Sequence, residues 1–128
     1  MCSIFGIIDF EKKNKLKDQN LKELNKILKH RGPDDEGYYN DEFISLAFNR
    51  LSILDLDKGN QPIIKDHIIS IFNGEIYNYK EIRQELESFG YKFKSNSDSE
   101  IIASAFLKWG IKCVEKFNGM FAIAIYDK

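Results

Sequence analysis

A cysteine stands directly behind Met1, and an apolar run from Ile4 to Phe10 follows at once. With Met1 removed, Cys2 would carry a thiol and a free α-amine on the same residue. An α-amine titrates near ~7.7–8.0, so at neutral pH much of it can act as a base. It can take the proton from its own thiol, directly or through a water, and the thiolate is the attacking species. Nucleophile and base then need no second side chain. The competing reading is a small apolar residue that opens a buried strand. The first six residues alone favour the second reading, and other stretches must decide.

Four further features carry possible chemistry, each beside an ordinary explanation. Asn73-Gly74 between apolar runs is a strong hairpin signal, because both turn positions favour positive φ. The same two residues could aim an amide and a backbone N–H at one spot and form an oxyanion hole. Arg50 interrupts the apolar stretch Leu46 to Leu54; it is either a solvated turn residue or a planar fork for a substrate carboxylate. Asp98, within Ser97-Asp98-Ser99-Glu100, is a first-turn carboxylate by default and otherwise a receptor for a substrate ammonium. Glu75, just past the Asn-Gly pair, is by default an exposed strand residue.

Other chemistries find little footing. Cys2, Cys113, His30 and His67 are scattered without CxxC or HxxxH spacing, so no metal site is expected. There is no glycine-rich phosphate loop and no Gly-x-Ser-x-Gly elbow. Cys113 reads as an inert core thiol, and His30 as a residue complementing a helix C-terminus. Charged residues make up 30% of the chain and the net charge is −1, which points to neither nucleic acid nor membrane. No apolar stretch approaches ~18 residues. Two cysteines and no secretory leader imply a cytoplasmic protein with reduced thiols.

The elements that must position these residues follow from pattern. Residues 3–10 read as a buried strand, and Asp18 caps a helix to about Lys29 with Leu21, Leu24 and Leu28 on one face. His30-Arg31-Gly32-Pro33-Asp34 ends that helix, and a loop follows to Tyr39. Residues 43–48 and 51–54 read as two strands, with a polar turn from Asp55 to Pro62. Residues 68–72 and 75–77 read as a pair joined at Asn73-Gly74. Asn78 with Glu81 caps a helix carrying Ile82, Leu86 and Phe89, stopped by Gly90. A short strand over 91–94 precedes a second capping pair, Ser97 and Glu100. The helix it opens turns Ile101, Ile102, Ala105, Phe106 and Trp109 inward and stops at Gly110. A short helical segment holds Cys113, and 120–126 is a final strand. At 128 residues this is one α+β domain with a modest core.

Taken together, Cys2-Ser3-Ile4-Phe5-Gly6, His30-Arg31-Gly32-Pro33-Asp34, Arg50-Leu51-Ser52-Ile53, Gln61-Pro62, Asn73-Gly74-Glu75-Ile76-Tyr77-Asn78 and Ser97-Asp98-Ser99-Glu100 occur in a single order. They closely resemble the N-terminal glutaminase domain of glutamine-hydrolysing asparagine synthetases, a class II glutamine amidotransferase with the N-terminal-nucleophile hydrolase fold. The resemblance runs the length of the chain. It implies an αββα sandwich of antiparallel sheets, with 1–128 a glutaminase domain that is incomplete at its C-terminal side and the synthetase domain absent.

The resemblance also implies roles. Cys2 would be the nucleophile, Asn73 and Gly74 the oxyanion hole, and Arg50 the holder of the glutamine α-carboxylate. The backbone of Leu51, Ser52, Ile53 and Leu54 would lie nearby, Asp98 would take the α-ammonium, and Glu75 would support that end. Glutamine would be hydrolysed to glutamate and ammonia through a glutamyl thioester. The ammonia would pass to an ATP-dependent synthetase domain, C-terminal or separate, that makes asparagine from aspartate. No cofactor is expected in this domain; ATP and Mg belong to the synthetase domain. Partners would be L-glutamine and that domain, with a homodimer possible and no nucleic acid or membrane. Delivery to another acceptor, an amino-sugar or a natural product, and a non-catalytic glutamine-binding fragment are the alternatives. Two departures from the family pattern stand out: Ser3 replaces the usual Gly, and Phe48-Asn49 precedes Arg50 where a His or charged residue is common.

Overall fold

The structure, a computed structural model, describes residues 2–12, 16–52 and 60–128. Strands β1 (Ser3–Ile8), β2 (Asp35–Asn40) and β3 (Ile44–Arg50) form one antiparallel sheet in the order β1-β3-β2. Strands β4 (Ile63–Lys65), β5 (Ile68–Ile76) and β6 (Gly119–Asp127) form a second, in the order β4-β5-β6. Helix α1 (Asp18–Lys26) lies on the first sheet, and α2 (Tyr79–Ser88) and α3 (Ser99–Trp109) on the second. Short 3-10 segments cover Lys29–Arg31 and Gly110–Lys116.

The layering follows from which residues point inward. Successive strand side chains alternate between faces. On β3, Leu46 and Phe48 meet Ile69 and Ile71 of β5 between the sheets, joined by Cys2 and Ile4 from the start of the chain. The opposite face of β5 puts Phe72 and Ile76 against Ile82 and Leu86 of α2 and Ile101, Ile102 and Ala105 of α3. Each fully buried Leu, Ile or Phe contributes about 1.5–3 kcal/mol, so these two apolar layers dominate the stability. Strand β3 is buried from Ser45 to Arg50 because both its edges are paired and both its faces are covered. The result is an αββα sandwich.

Behind β3, beside the buried Leu21 and Ala47, part of the filling is polar. Asn25 of α1 and Asn49 of β3 exchange reciprocal amide bonds of 3.0 and 2.8 Å, and Asn49 Nδ2 also donates to Ser3 Oγ at 3.0 Å. Ser3 and Asn49 are therefore partners of each other.

Several expectations need correction. Residues 35–40 are a strand and not a loop; β2 is polar because it is an edge, and pairing with β3 defines it. The strand expected over 43–48 is β3, which runs on to Arg50; of the one expected over 51–54, Leu51 and Ser52 are irregular, and residues 53 and 54 lie outside the described residues, as does most of the expected turn from Asp55. Asn73-Gly74 is no hairpin: β5 runs straight through it, paired residue for residue with β6. Residues 91–94 form no strand, and β4 was unanticipated. The outer half of β1 is exposed, Ile8 at 51%.

The expected caps also differ. Asp18 lies inside α1, where it accepts from Asn40 Nδ2. Asn78 instead ties the segment before β6, accepting from Asn118 N and donating to Lys116 O. Gly90 does stop α2: the N–H groups of Gly90 and Tyr91 return to Glu87 O and Leu86 O, closing a Schellman motif. Among the described residues no helix is long and apolar enough to cross a membrane.

Candidate active site

The inward rows of both sheets turn polar at the same end of the sandwich. On β3 the row Leu46, Phe48 continues to Arg50, and on β5 the row Ile69, Ile71 continues to Asn73 and Glu75. Cys2 precedes Ile4 on the β1 row. These ends frame a cavity of about 240 Å³ lined by Cys2, Arg50, Leu51, Asn73, Gly74, Glu75 and Asp98. Phe48, Gln61, Phe72, Ser97, Ser99 and Met120 complete the wall. Seven of the ten residues singled out from sequence thus meet at one place. Ser52 does not line it; its N–H donates to Asp34 Oδ2 at 2.7 Å. Ile53 and Leu54 lie outside the described residues.

Cys2 is half-buried, and its sulfur lies 3.4 Å from the Leu51 N–H, which donates to it. Its own carbonyl accepts from Arg31 Nε at 3.3 Å. The segment 30–34 therefore does more than end a helix. Arg31 holds the cysteine backbone, while Asp34 takes the Ser52 N–H and gives its own N–H to Arg50 O. Gly32 lies so close to β3 that a Cβ there would meet Asn49 C at 2.5 Å, so only glycine lets the segment cross.

Arg50 is buried, and its Nη1 donates to Asn60 Oδ1 at 3.0 Å. Asn73 lines the cavity, and its buried Oδ1 has no hydrogen-bond partner among the described residues. Gly74 has φ +144°, and a Cβ there would stand 2.0 Å from Met120 O. The hairpin signal was thus right about glycine and wrong about the turn: the positive φ lies within a strand, where β6 crosses too closely for a side chain.

Asp98 precedes α3 and reaches the cavity over the edge of β5, where its Oδ2 accepts from Ile76 N at 3.0 Å. Burial pushes its carboxyl above the usual carboxylate range, against the Ile76 and Ser99 N–H groups that favour the charged form; the neighbouring Glu75 charge adds to the rise. A cation at this point would relieve it. Glu100 anchors the approach, accepting from Lys94 N, Ser95 N and Ser95 Oγ. Burial raises the Glu100 carboxyl, but these donors and the nearby Arg83 outweigh it and hold it below the usual range. The expected Ser97–Glu100 capping pair is replaced by this longer clamp. Cys113 is fully buried, which pushes its thiol upward and suits a core role.

Two sheets face to face between helices, with a cysteine at the head of the first strand opening into the cleft, form the arrangement of an amidotransferase of the N-terminal-nucleophile type. The chain belongs to the glutamine amidotransferase domain family, whose model matches residues 1–128. It is 39% identical over its whole length to asparagine synthetase [glutamine-hydrolyzing] 1 of Bacillus subtilis (strain 168), covering 21% of that protein. It is 42% identical to asparagine synthetase [glutamine-hydrolyzing] 2 of the same organism, over 100% of the chain and 17% of the relative. With asparagine synthetase B [glutamine-hydrolyzing] of Escherichia coli (strain K12) the identity is 38%, over 99% of the chain and 23% of the relative. The chain spans about a fifth of the length of these curated relatives.

Proposed function

We propose that this domain hydrolyses L-glutamine to glutamate and ammonia, with Cys2 as nucleophile, and that the ammonia serves an ATP- and Mg-dependent synthesis of asparagine by a synthetase part outside these residues. The observation that carries the reading is the grouping of a thiol, a buried cation, a buried carboxylate and an open strand edge around one small cavity. A zwitterionic amino acid with a side-chain amide needs these elements at its separate ends.

The α-amine of Cys2, once Met1 is removed, takes the thiol proton. The thiolate adds to the carboxamide carbon, with the Leu51 N–H beside the sulfur. The oxygen that becomes negative takes hydrogen bonds from Gly74 N–H and the Asn73 side-chain amide, which then points its NH2 into the cavity. The C–N bond breaks, the leaving nitrogen receives the proton held by the amine, and ammonia departs. Water then adds to the glutamyl thioester, its proton passes to the same amine, and glutamate leaves with the thiol restored. Arg50 binds the α-carboxylate through its fork, and Asp98 with Glu75 binds the α-ammonium. The Leu51–Ser52 backbone closes the wall beside the sulfur. Such a thiol needs a reducing compartment, so a cytoplasmic location belongs to this proposal.

Intact-mass measurement with diazo-oxo-norleucine, a thiol-alkylating glutamine mimic, tests the reading. Loss of Met1 and one adduct on Cys2, blocked by excess glutamine, is the expected result. Retained Met1, or an adduct that glutamine does not block, refutes it.

A further inference from the structure

Strand β4 pairs with β5 only as far as Ser70, so among the described residues the remaining edge of β5 has no neighbouring strand on that side. On this edge the even-numbered residues present their N–H and C=O groups outward, since the odd-numbered ones face β6. Their partners differ at each step. Phe72 is met by a side chain: its N–H donates to Gln61 Oε1 at 2.6 Å, and its C=O accepts from Gln61 Nε2 at 3.2 Å. Ile76 gives its N–H to Asp98. Gly74, between them, faces the cavity.

Gln61 is thus a one-residue substitute for a strand. It is buried, it precedes β4 in sequence, and it continues the β4–β5 ladder by one step before the edge opens at Gly74. We infer that Gln61 is a positioning residue for glutamine hydrolysis: its amide, clamped on both backbone groups of Phe72, fixes the peptide plane leading into Asn73 and so the aim of the oxyanion donors. This rests on the glutaminase reading above. Gln61 makes no new contact as charge develops; it acts through the strand. Its loss should therefore lower kcat while leaving the affinity for glutamine, set by Arg50 and Asp98, nearly unchanged. A donor misaimed by about 1 Å can cost on the order of 10²-fold in rate.

The test is Gln61→Met in the full chain, which keeps side-chain length and removes both bonds. Expected are a kcat for ammonia release lowered at least ~10-fold, KM for glutamine within ~3-fold of wild type, and faster amide hydrogen exchange at Phe72. A kcat within ~2-fold of wild type, or a loss confined to KM, overturns the inference. Should Gln61→Met not fold, Gln61→Glu decides. Protonated, its carboxyl can still serve both Phe72 groups; ionised, it sets an oxygen against Phe72 O. Cys2, Arg50, Glu75 and Asp98 share the cavity in both proteins and their contribution cancels in a ratio, so the ratio of Gln61→Glu to wild-type kcat is the readout. That ratio should fall as pH rises through the new carboxyl, and a flat ratio overturns the inference. Failure of the glutaminase reading itself would show differently, as a wild-type protein that releases no ammonia from glutamine. In that case unchanged exchange at Phe72 in Gln61→Met would overturn the clamp as well.

Discussion

Replacing Asn49 by leucine tests the polar layer that holds the site from behind. The substitution is close to isosteric, so its cost comes from the hydrogen bonds. Asn25 Oδ1 loses the donor that sits 2.8 Å away, and Ser3 Oγ loses its donor at 3.0 Å. Both residues are buried, and a buried group left unpaired costs about 1–3 kcal/mol, so Asn49→Leu should cost about 2–6 kcal/mol. Asn25→Leu strands chiefly Asn49 Oδ1, because Asn49 Nδ2 keeps Ser3 Oγ; about 1–3 kcal/mol is expected. If the two were independent, the double variant would cost their sum. It leaves chiefly Ser3 Oγ stranded, however, because the half-buried Tyr38 hydroxyl that Asn25 also met can turn to water, and two leucines facing each other bury well, so about 1–2 kcal/mol is expected. The coupling should exceed ~1 kcal/mol in a protein whose total stability is about 5–15 kcal/mol. Urea unfolding of the four proteins measures it. Additivity within ~0.5 kcal/mol would mean that the amides act separately, and the account of this layer would be wrong.

Gly74→Ala must place a Cβ 2.0 Å from Met120 O at a positive φ, so it should lower kcat for ammonia release by at least ~10²-fold and lower the melting temperature; steady-state kinetics with near-normal kcat would refute the oxyanion role. For Asp98 the folded carboxyl is raised, so the stability it contributes is complete below ~3.9, the unfolded value, and is lost as pH rises through the folded one. Asp98→Asn should therefore melt above wild type at neutral pH, with the difference vanishing in acid, while thermal protection by glutamine disappears; a variant still protected by glutamine would remove Asp98 from the ammonium site. Glu100 has the opposite sign: its folded carboxyl is lowered, so its stabilisation is present above the unfolded value and lost as pH falls through the folded one. Glu100→Gln should loosen residues 94–98 and raise KM for glutamine roughly 3–10-fold, about 1 kcal/mol, with little change in kcat, and an unchanged KM would refute the clamp.

The helices were legible because their signals are local. The glycine after α2, the apolar spacing of α3 and the stop at Gly110 need no partner to be read. The strands were less so. Asp35–Asn40 carries too little apolar character to stand out, and becomes a strand only because β3 lies beside it. Asn73-Gly74 carries the strongest turn signal in the chain, yet nine consecutive pairings with β6 override it. In the site, Cys2, Arg50, Asn73 and Asp98 were readable because their chemistry is unusual for their surroundings. Gln61, Asn25 and Asn49 were not given roles, because what distinguishes them is a partner far along the chain: Phe72 for one, each other for the remaining two. Arg31 and Asp34 were seen as the end of a helix for the same reason.

The sulfur of residue 2 meets the backbone of residue 51, and Gly74 is shaped by the crossing of residues 120 and 121. Each of these encounters closes a loop of more than forty residues, an entropic cost paid before any contact repays it. The start of β1 must wait for β6, the last described strand, before the cleft has its full wall. Hydrolytic competence should accordingly trail the appearance of secondary structure during refolding, so that enzymatic assay reports the end of the folding reaction rather than its beginning.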